Sequence, residues 1–403
     1  MQNKIVDIIA GIFFSLMLIH PVKGETINLS SETQISVLTC GSGDQIYSLY
    51  GHSAIRVKDP VIKLDIVFNY GVFSFNSGNF VYRFAKGQTD YMLAAERYSD
   101  FYRSYLYEKR SITEQVLDLT YNEKQNVCDF LVNNAKPENR VYRYNFFNDN
   151  CSSRIRDAFK QNIDGELIFK DKKGVGKTFR QHVTKYQKQI PWLDFSIQLV
   201  LGSPSDEITS AYNEMFLPEF LYKHFAGAKI IKDGKERPFV KKQNILIKEE
   251  HPDISILWKY SPESFFCVLL LIILWLSFLE YKRRKDNYGI DYFLFVITGL
   301  VGFGILWFVV FSEHPALRPN YNLLWAFPPN ILFILLWVIK KWRPYLKWYW
   351  PLLSVGLILF FIYRSKIPQS FCLSFYFIAG MLLVRSVLHS LQLIERSTVN
   401  KNK

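Results

Sequence analysis

The stretch FNDNCSSRIRD, Phe147–Asp157, reads as a helix that begins partway along it: NDNCSS supplies capping residue types at its N-terminus, and Ile155, Ala158 and Phe159 recur behind it at helical spacing. Cys151 therefore stands in the first turn, where unpaired backbone N–H groups favour an anion. A thiol is a useful nucleophile only as thiolate, and a neighbouring imidazole is a second way to lower its pKa. YGHSAIRV, Tyr50–Val57, supplies one: His52 follows Gly51 and directly precedes the alternating run Ser53–Asp59, which reads as a strand. If that strand packs beside the Cys151 helix, His52 acts as general base toward Cys151.

A third polar group is expected to orient the imidazole. On the next strand, within Lys63–Phe75, the period of two puts Asp65, Val67 and Asn69 on one face. Asn69 is preferred and Asp65 is the alternative, since a neutral group suffices to fix a tautomer. Cys40, in the β-rich run Thr33–Cys40, is the competing nucleophile, but a strand offers no dipole. In an exported domain Cys40, Cys128 and Cys151 also permit a disulfide, which would leave one of the three free. His182, His224 and His251 have no partner four residues on, and no HExxH or CxxC occurs, so no metal site is expected.

Around these motifs, residues 35 to 150 read as one α+β domain. Gly71 marks a bend in the second long strand, and helical spacing is expected over Thr89–Arg110 and Asn122–Asn134, the latter capped by Thr120. Lys170–Lys177 reads as a surface loop. Helices are expected over Thr178–Tyr186, Leu193–Leu201 and Glu214–Phe225.

The chain of 403 residues carries a formal charge of +13 that is unevenly spread. From Tyr281 onward there are 15 Lys and Arg against 4 Asp and Glu, a net of +11. The same region holds five apolar runs, Ser264–Leu279, Tyr292–Phe311, Leu323–Ile339, Trp348–Tyr363 and Phe371–Leu388, each near the length that crosses a bilayer. The basic excess is therefore membrane topology and not a nucleic-acid patch. Ile8–Ile19 behind Lys4, followed by Val22 and Gly24, reads as a signal peptide over 1–24, with an uncleaved anchor as the alternative. An exported region 25–260 then sends the first span of a membrane domain 261–395 inward. Loops placed inside hold Lys282, Arg283, Arg284, Lys285, Lys340, Lys341, Arg343 and Lys347, and the tail 396–403 adds Arg396, Lys401 and Lys403. Loops placed outside hold only Arg318, Arg364 and Lys366, in accord with the positive-inside rule. Arg385 is expected to snorkel to the inner face, with His389 beside that face. The outer loop Ser312–Asn322 gathers Glu313, His314, Arg318, Asn320 and Asn322. It reads either as an ordinary solvated loop or as a rim for lipid headgroups.

LTCGSGDQIYSLYGHSAIRV (Leu38–Val57), FNYGVFSFNSGNFVYRFAKGQTDY (Phe68–Tyr91), FNDNCSSRIRD and EMFLPEFL (Glu214–Leu221) resemble, in this order, the periplasmic domain of the Lnb-type lipoprotein N-acyltransferases of Bacteroidetes. The five-span tail is similar to that family's membrane part. The resemblance implies a permuted papain-like fold of the NlpC/P60 and lecithin:retinol acyltransferase kind, with His52 as base and Cys151 as nucleophile. No second His stands on Asp65–Phe73, so Asn69 is not carried over by the likeness. The implied reaction moves a fatty acyl chain from a membrane phospholipid to the N-terminal diacylglyceryl-cysteine of a lipoprotein through a Cys151 thioester, with the Cys151 N–H as an oxyanion donor and no cofactor. The expected partners are the bilayer, the phospholipid donor and lipoprotein acceptors, and the expected location is the inner membrane, with the catalytic domain in the periplasm and the C-terminus in the cytoplasm. Two other functions fit the same residues: a Cys–His hydrolase of lipid or cell wall, and a non-catalytic envelope assembly protein. Five spans argue against the cell-wall enzyme, and a disulfide at Cys151 would mark the assembly protein.

Overall fold

The computed structural model describes residues 27–73, 79–170, 176–249, 261–284 and 287–401. The expected signal peptide, His251 and most of the Lys170–Lys177 loop lie outside them. The N-terminal region is built on a seven-stranded antiparallel sheet of β1 (Gln34–Cys40), β2 (His52–Asp59), β3 (Leu64–Val72), β4 (Asp90–Arg97), β5 (Ile112–Leu117), β6 (Val141–Arg143) and β10 (Val240–Ile247), in the order β10-β5-β1-β2-β3-β4-β6. β7 (Glu166–Ile168), β8 (Lys229–Lys232) and β9 (Lys235–Pro238) form a separate small sheet.

Side-chain alternation gives the large sheet two apolar faces. Ile35, Val37, Ile55, Val57, Phe68 and Tyr70 pack with Val127 and Leu131 of α3 (Tyr121–Asn134) and with Ile155 and Phe159 of α4 (Cys151–Asn162). Leu38, Ala54, Val67 and Ile112 pack with Phe101 and Tyr105 of α2 (Tyr98–Tyr107). The large sheet is thus covered by helices on both faces, a mixed α/β domain.

One expected helix is half strand. Asp90–Arg97 pairs with β3 and β6 although Leu93, Ala94, Ala95 and Glu96 all favour helix. Tyr91 and Leu93 bury on alternate positions, so packing between two neighbours overrides local propensity. Thr120 caps α3 through a capping box with Glu123, as expected.

Among the described residues, four segments beyond residue 260 are long and apolar enough to cross a membrane: Pro262–Arg283 (α8), Gly289–Phe311 (α9), Pro315–Val338 and Leu373–Glu395. A fifth is counted when Lys340–Leu346 and Tyr349–Lys366, bent by 47°, are taken as one span. Arg385, in the last helix, does not snorkel. It is fully buried and donates to Asp291 (2.7 and 2.8 Å), Glu280 (2.8 Å) and Ser277 (3.1 Å), while His389 reaches Asp291 at 2.8 Å. Two carboxylates on neighbouring helices attract the guanidinium inward more strongly than the interface attracts it outward, tying α8, α9 and the last helix together.

Removing one partner of such a cluster strands the others. Arg385→Met is expected to destabilise the folded protein by about 3 to 5 kcal/mol, read as a large fall in melting temperature in detergent. An unchanged melting temperature would contradict the clamp.

Candidate active site

Cys151 is the first residue of α4, and its position is fixed by the residue before it. The Asn150 side chain accepts from Ser152 N (2.9 Å) and Ser153 N (3.0 Å), while Ser153 Oγ accepts from Asn150 N (2.8 Å). The same Asn150 amide donates to the carbonyls of Phe146 (2.7 Å) and Phe216 (2.8 Å). Phe216 belongs to the EMFLPEFL motif, so that distant motif buttresses the helix start. Ser152 and Ser53 hydroxyls meet at 3.1 Å, pinning the first turn of α4 to β2 one residue from His52. The Cys151 backbone N–H has no hydrogen-bond partner among the described residues.

The residues proposed from sequence as base, nucleophile and orienter come together. His52 opens β2, and its ring stands beside Cys151 and hydrogen-bonds Asn69. Its Nε2 lies 2.5 Å from Asn69 Oδ1, and Asn69 Nδ2 donates to Glu96 Oε1 at 3.2 Å. A carboxylate only accepts, so Glu96 decides which end of the Asn69 amide is oxygen. That oxygen in turn holds the proton on His52 Nε2, leaving Nδ1 to exchange a proton with the thiol. Asp65, the alternative orienter, is held by Arg56 through two bonds of 2.7 Å.

The electrostatics agree from both partners. Burial opposes ionisation of Cys151, but the charge and hydrogen bond of His52, with help from Ser53 N–H and Ser152, bring its pKa below the ordinary 9.0. Burial likewise disfavours imidazolium, yet Cys151 and Asn69 raise His52 above 6.5. A thiolate–imidazolium pair is the consistent reading. All five cysteines are free, so no disulfide engages Cys151. Burial pushes Cys40 and Cys128 up to about 12, which makes both poor nucleophiles.

Gly71 lies beside Cys151 and His52. Its φ of +91° suits glycine, and the β3–β4 register is irregular between Asn69 and Val72. A β-carbon at Gly71 would sit 3.7 Å from Cys151 Cβ, 3.9 Å from His52 Cε1 and 4.0 Å from the Tyr142 hydroxyl. The missing side chain leaves a gap bounded by all three. Tyr91 and Tyr144, stacked at 4.1 Å, and Phe73, stacked on Tyr91 at 4.8 Å, form an aromatic wall nearby.

The loop Ser312–Asn322 braces the two halves of the molecule. Ser312 Oγ donates to the Ala85 carbonyl (2.8 Å) and Glu313 N to that of Lys86 (2.8 Å), at the end of α1 (Phe80–Lys86). His314 Nε2 donates to the Phe84 carbonyl (2.9 Å), and Glu313 accepts from Gln88 (2.6 Å) and Arg143 (3.3 Å). Asn320 and Asn322 are buried, not presented to lipid. They donate to the carbonyls of Leu199 and Val200 at the end of α6 (Pro191–Val200), and Asn322 accepts from the Trp325 indole at 3.0 Å. The last-turn carbonyls of α6 lack helical partners and draw these amides inward. Of the five residues singled out in this loop, Arg318 is the one left exposed with no side-chain hydrogen bond among the described residues.

Glu96 and Tyr142 were not singled out from sequence. Glu96 falls in the strand read as helix, and Tyr142 in a three-residue strand too short to carry a pattern.

The pair has a direct chemical signature. The alkylation rate of Cys151 is expected to rise through a pH below 9.0, while Cys40 and Cys128 stay unmodified in the folded protein. His52→Ala leaves burial unopposed by an imidazolium, so the rise moves to higher pH. A wild-type profile that matches an ordinary thiol would contradict the pair.

The chain matches two family models, the Lnb N-terminal periplasmic domain over residues 25–185 and the Lnb transmembrane domain over residues 253–397. No curated protein and no solved structure matches. The order of the two domains makes this a multi-pass membrane protein with a periplasmic N-terminal domain, and the chain belongs to the Lnb family.

Proposed function

We propose that this protein is a lipoprotein N-acyltransferase with Cys151 as nucleophile, His52 as base and Asn69 as the group that orients His52. The observation that carries the reading is the placing of Cys151, at the start of a helix, beside His52, whose ring is hydrogen-bonded to Asn69, in a domain braced onto membrane helices. The acyl donor is a membrane phospholipid and the acceptor is the α-amine of a diacylglyceryl-modified N-terminal cysteine on a lipoprotein.

Covalent catalysis divides a transfer between two large lipids into two steps. In the first, Cys151 Sγ attacks the ester carbonyl, the ester C–O bond breaks, and the His52 proton passes to the departing lysophospholipid oxygen. In the second, the lipoprotein amine attacks the thioester, the C–S bond breaks, and the amine's proton returns to His52. The ion pair is regenerated. The brace supports this reading: α1 follows the strand that carries Asn69 and touches the membrane domain through Tyr82 and Trp307, 5.9 Å apart. A soluble nucleophile held in this way meets substrates that stay in the bilayer. Papain-like architecture is part of the same proposal, since a Cys at a helix start and a His on a strand, joined to an Asn, is the arrangement such enzymes use.

Cys151→Ser and His52→Ala are each expected to lower N-acylation at least about a thousandfold while the protein stays folded, and Asn69→Ala to lower it less. Mass spectrometry of lipoprotein N-termini from cells carrying each variant measures this. Full N-acylation with Cys151→Ser would overturn the assignment. Loss of the acyl chain to water, with no amide formed by the native enzyme, would make the protein a hydrolase.

A further inference from the structure

Tyr142 is 7% exposed, and its hydroxyl is buried with no hydrogen-bond partner among the described residues. A buried orphan hydroxyl costs on the order of 1–3 kcal/mol, so its retention calls for an explanation. Its surroundings hold it still. Arg154, clamped to Asp149 by bonds of 2.6 and 2.8 Å, lies 3.6 Å over the Tyr142 ring, and Tyr70 packs edge-on at 6.2 Å. A guanidinium over the ring withdraws charge and makes the hydroxyl a better donor. The hydroxyl borders the gap at Gly71, on whose other sides stand Cys151 and His52.

We propose that the Tyr142 hydroxyl is a catalytic oxyanion donor, completing with the Cys151 backbone N–H a two-point site for the acyl carbonyl oxygen that sits in the gap at Gly71. This rests on the thioester reading above. When Sγ adds to the carbonyl carbon, the C=O π pair moves to oxygen, and the O–H of Tyr142 and N–H of Cys151 donate to that anion without transferring a proton. When the leaving group departs, the pair returns to the carbonyl. The same site serves both half-reactions, since each passes through a tetrahedral anion. Burial first, and then the negative charge of Cys151, push the Tyr142 hydroxyl well above 10, so it stays a donor at working pH. Its lack of a partner in the resting enzyme is what a site waiting for a transient charge requires.

Tyr142→Phe in the full-length protein, reconstituted with phospholipid and a diacylglyceryl lipopeptide, is expected to slow acyl transfer by about a hundredfold or more. Alkylation of Cys151 by iodoacetamide, which develops no oxyanion, should keep its wild-type rate and pH profile. The melting temperature should hold or rise, because the hydroxyl has no bond to lose. Transfer at the wild-type rate would overturn the proposal, and so would alkylation slowed in step with transfer. Ring-fluorinated tyrosine at position 142 keeps the side chain and strengthens the donor, so it should shift the transfer rate even if Tyr142→Phe perturbs folding. No shift would also overturn it. A dead Cys151→Ser beside a fully active Tyr142→Phe sinks only the oxyanion assignment, whereas an active Cys151→Ser sinks the thioester reading beneath it.

Discussion

The arrangement depends on how Asn150 ends the loop and begins α4. A cap of this kind contributes only about 1 kcal/mol to helix stability, but it spends the Ser152 and Ser153 amides on itself and leaves the Cys151 N–H unpaired. Its other end reaches Phe216, so the helix start cannot shift without disturbing the segment around residue 216. With Ser152 bonded to Ser53, the thiol is held against the first residue of β2. Burial alone would make that thiol inert, as it does for Cys40 and Cys128, and the imidazole beside Cys151 reverses the sign. What sets Cys151 apart from Cys40 and Cys128 is the imidazole beside it.

The same economy applies to the join with the membrane domain. The proposed reaction on lipids requires Cys151 to stay near the bilayer, and a single flexible tether would leave its distance and angle free. Here one loop holds α1 at one end and α6 at the other, and both contact α9. Gly202 is placed where a β-carbon would lie 2.4 Å from the Pro319 carbonyl, so the two halves approach backbone to backbone. Below the brace, Trp192, Phe195, Phe265, Phe266 and Phe375 interlock side by side and extend the contact into the spans. Arg143, next to Tyr142, bonds to Glu313, so the brace touches the strand that borders Cys151 and His52.

Much of this was legible in the sequence, and for identifiable reasons. Asn150 and Cys151 at the head of an apolar helix, and His52 at the head of an alternating strand, are local signals that survive folding. The period of two on β3 left Asn69 and Asp65 as the orienting group, and the fold puts Asn69 against His52 and Asp65 against Arg56. Apolar runs and loop charges marked the membrane spans, although among the described residues four qualify without joining a bent pair. What was not legible came from long-range contacts. β4 carries helix-forming residues and is a strand because it lies between β3 and β6, which hid Glu96. Asn320 and Asn322 resemble lipid ligands in composition, and only the fold shows that the carbonyls of α6 take their amides. Arg385 was read from its distance to the interface, when its environment is set by Asp291 and Glu280 on other helices.

The central claim is that Cys151 carries the acyl chain, and the most direct test is to look for it there. Full-length protein incubated with phospholipid and no amine acceptor should gain the mass of one acyl chain, on the peptide containing Cys151, and release it to hydroxylamine as a thioester does. Adding a diacylglyceryl lipopeptide should discharge the same adduct into an amide. An active enzyme that never accumulates acyl-Cys151, or that carries the chain on another residue, would contradict the account.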